Sequence, residues 1–454
     1  MEKNPDSKTS QKAFRLNTVM FDEFAFPFPG NDSQIRCLIR FNGKTDAKRL
    51  LRAVRLVYEA EPILGCRFVN HWRGHYWQRF NHLDSHVQSG LVQTDHIEAD
   101  VYRFLLSPMD PLTGLPFHVR LFRKNKDILC LKICHMVSDA GGLKEILYQI
   151  SDIYEKLKEN PDYIPEMNKN GDRSLWQVYK HFSFADRVKI IKRGYLNWKS
   201  DTFPGKGWTF PLRSGEVSDK GIIFKRFDQK RYKALTDACK SYHCTLHELF
   251  SAAVLRTLYH IIGPPQKTPL RLGTSVDLRR YISGGQGEAI CNLSTFFLLN
   301  IGTDIGATFE DTVKRVQQAL HPLKKDYLGL GFYPPVLINL KRIIPSTWAR
   351  GLCNRMLRFN QWLTSGAVCP RLTNMGIIND KNLIFDDIPV SDCCITAPVC
   401  HPPIIMPAIS GFKESMTLSL GYSGAGKNRK KISEFINRLD DELSRITEMT
   451  ERKD

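Results

Sequence analysis

From Ile35 to Phe41 apolar and charged positions alternate, with Ile35, Cys37, Ile39 and Phe41 on one side and Arg36 and Arg40 on the other. That is the two-residue period of a strand with one face inward. After a turn at Asn42-Gly43, Asp46 is placed to cap a helix carrying Leu50, Leu51, Val54, Val57 and Tyr58, and Pro62 stops it. Strand-like pieces resume at 66–69, 75–77 and 117–122, and a longer one spans 127–134, with Leu129, Leu131 and Ile133 on one face. Beyond a short connection from His135 to Gly142, the residues Leu143, Ile146, Leu147, Ile150, Ile153, Tyr154 and Leu157 recur at helical spacing. The order is strand, glycine-containing turn, helix.

Residues 159–220 interrupt this regularity with Pro161, Pro165, Gly171, Pro204, Gly205, Gly207 and Pro211, and read as a connector with room for one helix. Regular patterning restarts at 221–224, followed by a helix from Thr245, where Thr245 and Glu248 have the spacing of a capping box. Strands are expected at 269–276, 293–300, 371–378 and 416–422. A last helix carries Ile432, Phe435, Ile436, Leu439 and Leu443. A chain of 454 residues exceeds one ordinary core. The expected division is 1–180, a connector at 181–220, and 221–454, each half mixing strands with covering helices in an α+β arrangement.

Charge changes this picture only slightly. The net charge of +18 would suit nucleic acid, an anionic membrane face, a phosphorylated ligand or an acidic protein. No finger spacing, basic region with heptads or ribonucleoprotein-type strand is present, so nucleic acid is not expected. Denser basic stretches lie at 187–193 and 341–358, and the second mixes in Ile343, Ile344, Trp348, Leu352 and Leu357, which keeps peripheral membrane contact open. No apolar run is long enough to span a bilayer and no secretory start is seen, so a cytoplasmic, monomeric protein with reduced thiols is expected.

Among the histidines, His135 stands apart. His-x-x-x-Asp spacing alone is worthless, because His96 and Asp100 share it within a polar stretch. His135 instead ends an apolar strand and precedes Ala140-Gly141-Gly142, a setting that holds a side chain rigidly and leaves room for a ligand. An imidazole titrating near neutrality can take a proton from an alcohol or amine and return it to a thiolate. Asp139 reads as a brace that would need a cation if buried, with Arg67, Arg271, Arg279 and Arg280 as candidates. No Gly-x-Ser-x-Gly elbow is present, Cys134 should project away from His135, and the glycine-rich stretches 284–287 and 421–427 read as loops. His71 and His75 lack a third metal ligand, and no metal site is expected.

The segment Cys134-His135-Met136-Val137-Ser138-Asp139-Ala140-Gly141 resembles the H-H-x-x-x-D-G signature of the superfamily of peptide-synthetase condensation domains, alcohol O-acetyltransferases and chloramphenicol acetyltransferase-like enzymes. Four further segments follow the family's order. They are Glu61 to Phe68, Asp110 to Phe117, Ser275-Val276-Asp277-Leu278-Arg279-Arg280 with Cys291-Asn292-Leu293, and Leu372-Thr373-Asn374-Met375-Gly376. The resemblance implies two chloramphenicol acetyltransferase-like domains in a V around a central tunnel. His135 would be the general base, with Asp139, Arg67 and Arg279 supporting the motif, and Asn292, Asn374 and Gly141 near tunnel or substrate. Departures are Cys134 for the first signature histidine, Ala140 for the glycine, and Gly65 for the arginine expected to pair with Asp139.

What the resemblance implies for function is transfer of an acyl group from acyl-CoA, a cosubstrate rather than a bound cofactor, to a small alcohol or amine. One rival is a stand-alone condensation domain served by an acidic acyl carrier protein. The other is a non-catalytic lipid or polyketide-binding protein on a degenerate scaffold.

Overall fold

The computed structural model describes residues 14–25, 31–202, 208–263, 268–325, 327–331 and 368–451. The basic and apolar stretch 341–358 lies outside them, as do Pro204, Gly205 and Gly207. The first half contains β1 (Arg15–Asn17), α1 (Met20–Ala25), β2 (Gln34–Phe41), α2 (Ala47–Ala60), β3 (Cys66–Val69), β4 (Tyr76–Arg79), β5 (Leu91–Gln93), α3 (Ile97–Leu106), β6 (Phe117–Arg123), β7 (Asp127–Cys134) and α4 (Ala140–Glu159). The connecting region forms α5 (Trp176–Tyr179) and α6 (Phe184–Thr202). The remainder contains β8 (Lys220–Phe227), α7 (Gln229–Ser241), α8 (Leu246–Ile262), β9 (Arg271–Asp277), β10 (Ser294–Asn300), α9 (Phe309–Lys325), β11 (Arg371–Ile378), β12 (Val390–Thr396), β13 (Ala408–Phe412), β14 (Ser415–Ser423) and α10 (Ala425–Glu451).

Local signals act where the patterning places them. Asp46 caps α2 by accepting the Arg49 amide at 3.0 Å. Thr245 and Glu248 close a full capping box on α8, at 3.3 and 2.8 Å.

Two mixed sheets organise the chain, with a small sheet β1-β4-β3 beside them. One runs β12-β2-β7-β6-β5 and the other β10-β9-β11-β13-β14-β8. β12 comes from the second half of the sequence yet pairs antiparallel with β2, so the chain returns across the 181–220 connector to complete the first sheet. Its strand signal is masked by Ser391 and Asp392, and the sequence pattern did not single it out.

β7 is central in its sheet and buried along its whole length, on both faces rather than the one that its alternation suggests. Leu129, Leu131 and Ile133 pack in the large core with residues of α2 and α4, while Ile128 and Cys130 join Leu38, Val101, Leu105 and Phe122 beneath α3. That double covering sets the end of β7 in a rigid frame. A second large core lies under α7, α8, α9 and α10. The stretch 421–427, expected as a loop, is the end of β14 and the start of α10, with only Gly424 between them at φ +65°. No helix among the described residues is long and apolar enough to cross a membrane.

Candidate active site at the end of β7

His135 is the first residue past β7, and Asp139 is the N-cap of α4, so the five residues between strand and helix carry the site. The turn is tied down by its backbone. The His135 amide donates to the Ser33 carbonyl at 2.7 Å, and the Val137 amide to the Cys134 carbonyl at 2.9 Å.

The His135 ring is half-buried. Its Nδ1 lies 3.0 Å from the Ser138 carbonyl oxygen. A carbonyl oxygen only accepts, so this contact favours a proton on Nδ1 and leaves the lone pair on Nε2. Asn292 fixes the ring from the other half of the chain: its Nδ2 lies 2.9 Å from the His135 carbonyl oxygen, to which it donates, and 2.9 Å from Nδ1. The Asn292 amide is itself oriented, because its Oδ1 accepts the Ser294 amide at 3.1 Å. With that orientation the Asn292 nitrogen would donate to Nδ1 only in the opposite tautomer. The Nδ1–H form satisfies the Ser138 carbonyl, and Asn292 keeps its bond to the His135 carbonyl in either tautomer. Phe21 of α1 borders the imidazole, with ring centroids 5.7 Å apart. Burial lowers the His135 pKa against the smaller opposing pull of the Ser138 carbonyl and Asp139, which favours a neutral base.

Asp139 does not bond to His135. Its Oδ1 accepts the Gly142 amide at 2.8 Å and its Oδ2 the Leu293 amide at 2.7 Å. Arg279 Nη1 donates to both oxygens, at 2.8 and 2.9 Å. Burial alone would raise the Asp139 carboxyl, but the Arg279 charge and these donors outweigh it and hold the group below its ordinary range. Arg279 also reaches Glu145 at 2.8 Å, Asp277 at 3.2 Å and the Cys291 carbonyl at 3.1 Å. One guanidinium therefore ties α4 to β9 and to the segment that carries Asn292.

Of the candidate cations, only Arg279 meets Asp139. Arg67 does not: inward positions of β3 belong to Cys66 and Phe68, so Arg67 points outward, exposed, toward the Phe80 ring. Arg280 is turned to Tyr281. Gly65 is also not beside Asp139. A Cβ there would come within 2.8 Å of Arg79 Nη1, so Arg79 occupies the space that an arginine at 65 would need. Gly141 faces the ion pair rather than open space, since its Cβ would lie 2.5 Å from Arg279 Nη1. Gly142 is equally confined, 2.3 Å from Ser138 Oγ. Asn374 is exposed on β11 and accepts the Gly376 amide at 2.9 Å beside a register shift. Cys134 is buried in the core, where burial pushes its thiol up to about 12.

Glu145, Asp277, Phe21 and the Ser138 carbonyl carry parts of this site that sequence reasoning did not assign. Asp277 lay within a quoted motif, and Glu145 sits in the first turns of α4. Phe21 has no periodic signal at all. The decoy His96 lies exposed at the start of α3, while Asp100 binds Thr94 and Arg103.

No family model matches the chain, and no curated protein matches it in sequence. Solved structures do match along nearly its whole length. The first condensation domain of the CDA synthetase superposes with a TM-score of 0.68 at 14% identity, covering 95% of this chain and 96% of that one. The TRI3 trichothecene 15-O-acetyltransferase from Fusarium sporotrichioides gives 0.68 at 10% identity, covering 95% of each. The epimerization domain from the third module of tyrocidine synthetase B gives 0.66 at 13%, covering 96% and 97%. The chain therefore shares the fold of these condensation, epimerization and acetyltransferase structures, with its sheets covered by helices.

Proposed function

We propose that the protein transfers an acyl group from a coenzyme A thioester to a hydroxyl or amine acceptor, with His135 as general base. The observation that carries this reading is the His135 imidazole, held by the Ser138 carbonyl and Asn292 with Nε2 left as the free acceptor. Nε2 takes the proton from the acceptor as its oxygen or nitrogen bonds to the thioester carbon. The resulting tetrahedral adduct collapses with cleavage of the carbon–sulfur bond, and the imidazolium returns the proton to the departing thiolate. Asp139 has no part in that transfer. With Arg279 it holds the turn at one geometry, which matters because a base displaced by an ångström loses much of its advantage.

The excess of lysine and arginine suits the phosphates of coenzyme A. A carrier-bound donor is the second reading, favoured by the likeness to condensation domains. Thiol release from an acyl-CoA series against pooled alcohols and amines tests the first. Replacing His135 with Ala is expected to lower acceptor-dependent release by about a hundredfold or more. Unchanged release would remove His135 from the reaction. Turnover with an acidic acyl carrier protein, and none with coenzyme A thioesters, would favour the second reading.

A further inference from the structure

α6 carries a feature that acyl transfer does not use. Its inner side is seated through Ile190, which is buried with Leu175, Val178, Leu328 and Leu330. Gly194 completes the seat, because a Cβ there would lie 2.8 Å from the Gly331 carbonyl oxygen. The opposite side repeats at four-residue spacing through Phe184, Val188, Lys192 and Leu196, with Lys189 and Tyr195 alongside. Phe184 is 81% exposed, Tyr195 59%, Leu196 54% and Val188 48%. Trp176 of α5 is exposed as well, with the Arg187 guanidinium 4.7 Å from its ring centroid. Contiguous exposure of this kind marks a contact surface rather than scattered surface residues.

The charges on α6 point one way. Between Asp186 and Asp201 the helix has no acid, while Arg187, Lys189, Lys192, Arg193 and Lys199 all fall there. Asp186 is engaged by Ser183 at 2.7 Å, Tyr327 at 2.6 Å and Lys189 at 3.6 Å.

We propose that this face of α6 docks on an anionic phospholipid surface. Phe184, Val188, Tyr195 and Leu196 enter the boundary between headgroups and acyl chains, and Lys189 and Lys192 meet the phosphates. A nucleic acid would satisfy the lysines but gives the apolar row nothing to bury against. A protein partner would need a groove matched to a straight ridge roughly 18 Å long, at 1.5 Å rise per residue. A bilayer interface accepts such a ridge without a matching shape, and aromatic residues with lysines are the composition it favours.

Sedimentation of the full chain with phosphatidylcholine vesicles, with and without phosphatidylserine, tests this. Binding is expected to the anionic vesicles, to fall with salt, and to drop on the order of tenfold or more when Lys189 and Lys192 are both changed to Gln. The variant Phe184→Ser/Val188→Ser/Leu196→Ser should bind less at every lipid composition while keeping its thermal transition and its thiol-release activity. Absence of vesicle binding at low salt would overturn the proposal, as would binding that the serine variant leaves intact. Self-association in gel filtration, capture of an acidic carrier protein or binding of an oligonucleotide, with no vesicle binding, would assign the face to that partner and overturn it equally.

Discussion

Replacing Arg279 with Met removes one charge from a place where three carboxylates depend on it. Asp139, Glu145 and Asp277 all lie within 3.2 Å of its guanidinium. Asp139 would keep the Gly142 and Leu293 amides but lose its bonded counter-charge, leaving only the more distant Lys144. Removing one partner of a buried pair costs about 3–5 kcal/mol, and the Cys291 carbonyl would lose its donor for about 1 kcal/mol more. The expected loss at pH 8 is therefore roughly 4–6 kcal/mol.

The pH dependence gives the argument its sharpest form. In the native chain the Asp139 pKa is lowered, so its contribution is present above the unfolded value and is lost only as pH falls through the folded one. Without Arg279, burial would push the same carboxyl above its unfolded value. Proton uptake on acidification would then relieve the variant, and the deficit should shrink from pH 8 to pH 5. Denaturant midpoints followed by tryptophan fluorescence at several pH values measure this. Asp139→Asn should cost less, about 2–3 kcal/mol, because Arg279 keeps Glu145 and Asp277 and the Asn oxygen can still cap α4. A deficit for Arg279→Met below about 1 kcal/mol, or equal at pH 8 and pH 5, would refute the reasoning.

Asn292→Ala should lower kcat by about tenfold or more with little change in KM, since the residue positions His135 and is not argued to bind substrate; a change in stability alone would show a merely structural role. The acid limb of the activity profile should fall below the ordinary imidazole range, because burial lowers the His135 pKa and the neutral base persists until pH drops through that lowered value. His118, buried beside Lys132, is lowered from 6.5 to about 4. The unfolded chain therefore takes up its proton first, and about 3 kcal/mol of stability is lost as pH falls from 6.5 toward 4. His118→Asn should flatten that limb in denaturant titrations. Gly65→Arg should restore no partner to Asp139 and instead destabilise by about 1–3 kcal/mol through collision with Arg79, read as a lower thermal midpoint.

Much of the scaffold was legible because its signals are local. Asp46, Pro62, the capping box at Thr245 and the alternation in 127–134 each act over a few residues, and each marks a boundary that the structure uses. α9 carries a local signal of the same kind, with Phe309, Val313, Val316 and Leu320 at helical spacing and buried on one side, yet it is absent from the expected elements. β12 was not legible, because its place is set by β2, more than 350 residues earlier, and a strand covered on both faces loses its alternation. The same limit governs the site. The strand end and glycine turn single out His135, since rigidity there is a local property. The choice of Arg279 from four arginines depends on where β9 ends relative to α4, and on β3 turning Arg67 outward. No spacing along the chain contains that information.

The division of labour within the site follows from the same geometry. His135 and Asp139 lie on one turn, tied within the first half by the Ser33 carbonyl and the Gly142 amide, while Asn292, the Leu293 amide and Arg279 arrive from the second half. The Nδ1 acceptor, the Ser138 carbonyl, lies on the turn itself, but the Asn292 hold on the His135 backbone and the Arg279 counter-charge of Asp139 exist only with both halves together. Separation of the halves would release the ring and strand a buried carboxylate together, so the cost of opening the site falls on stability as well as on catalysis. A variant that weakens the Arg279 network should consequently lose activity before it unfolds, with kcat falling at temperatures well below its own midpoint. Parallel loss of activity and structure across the melting range would show instead that the network serves folding alone.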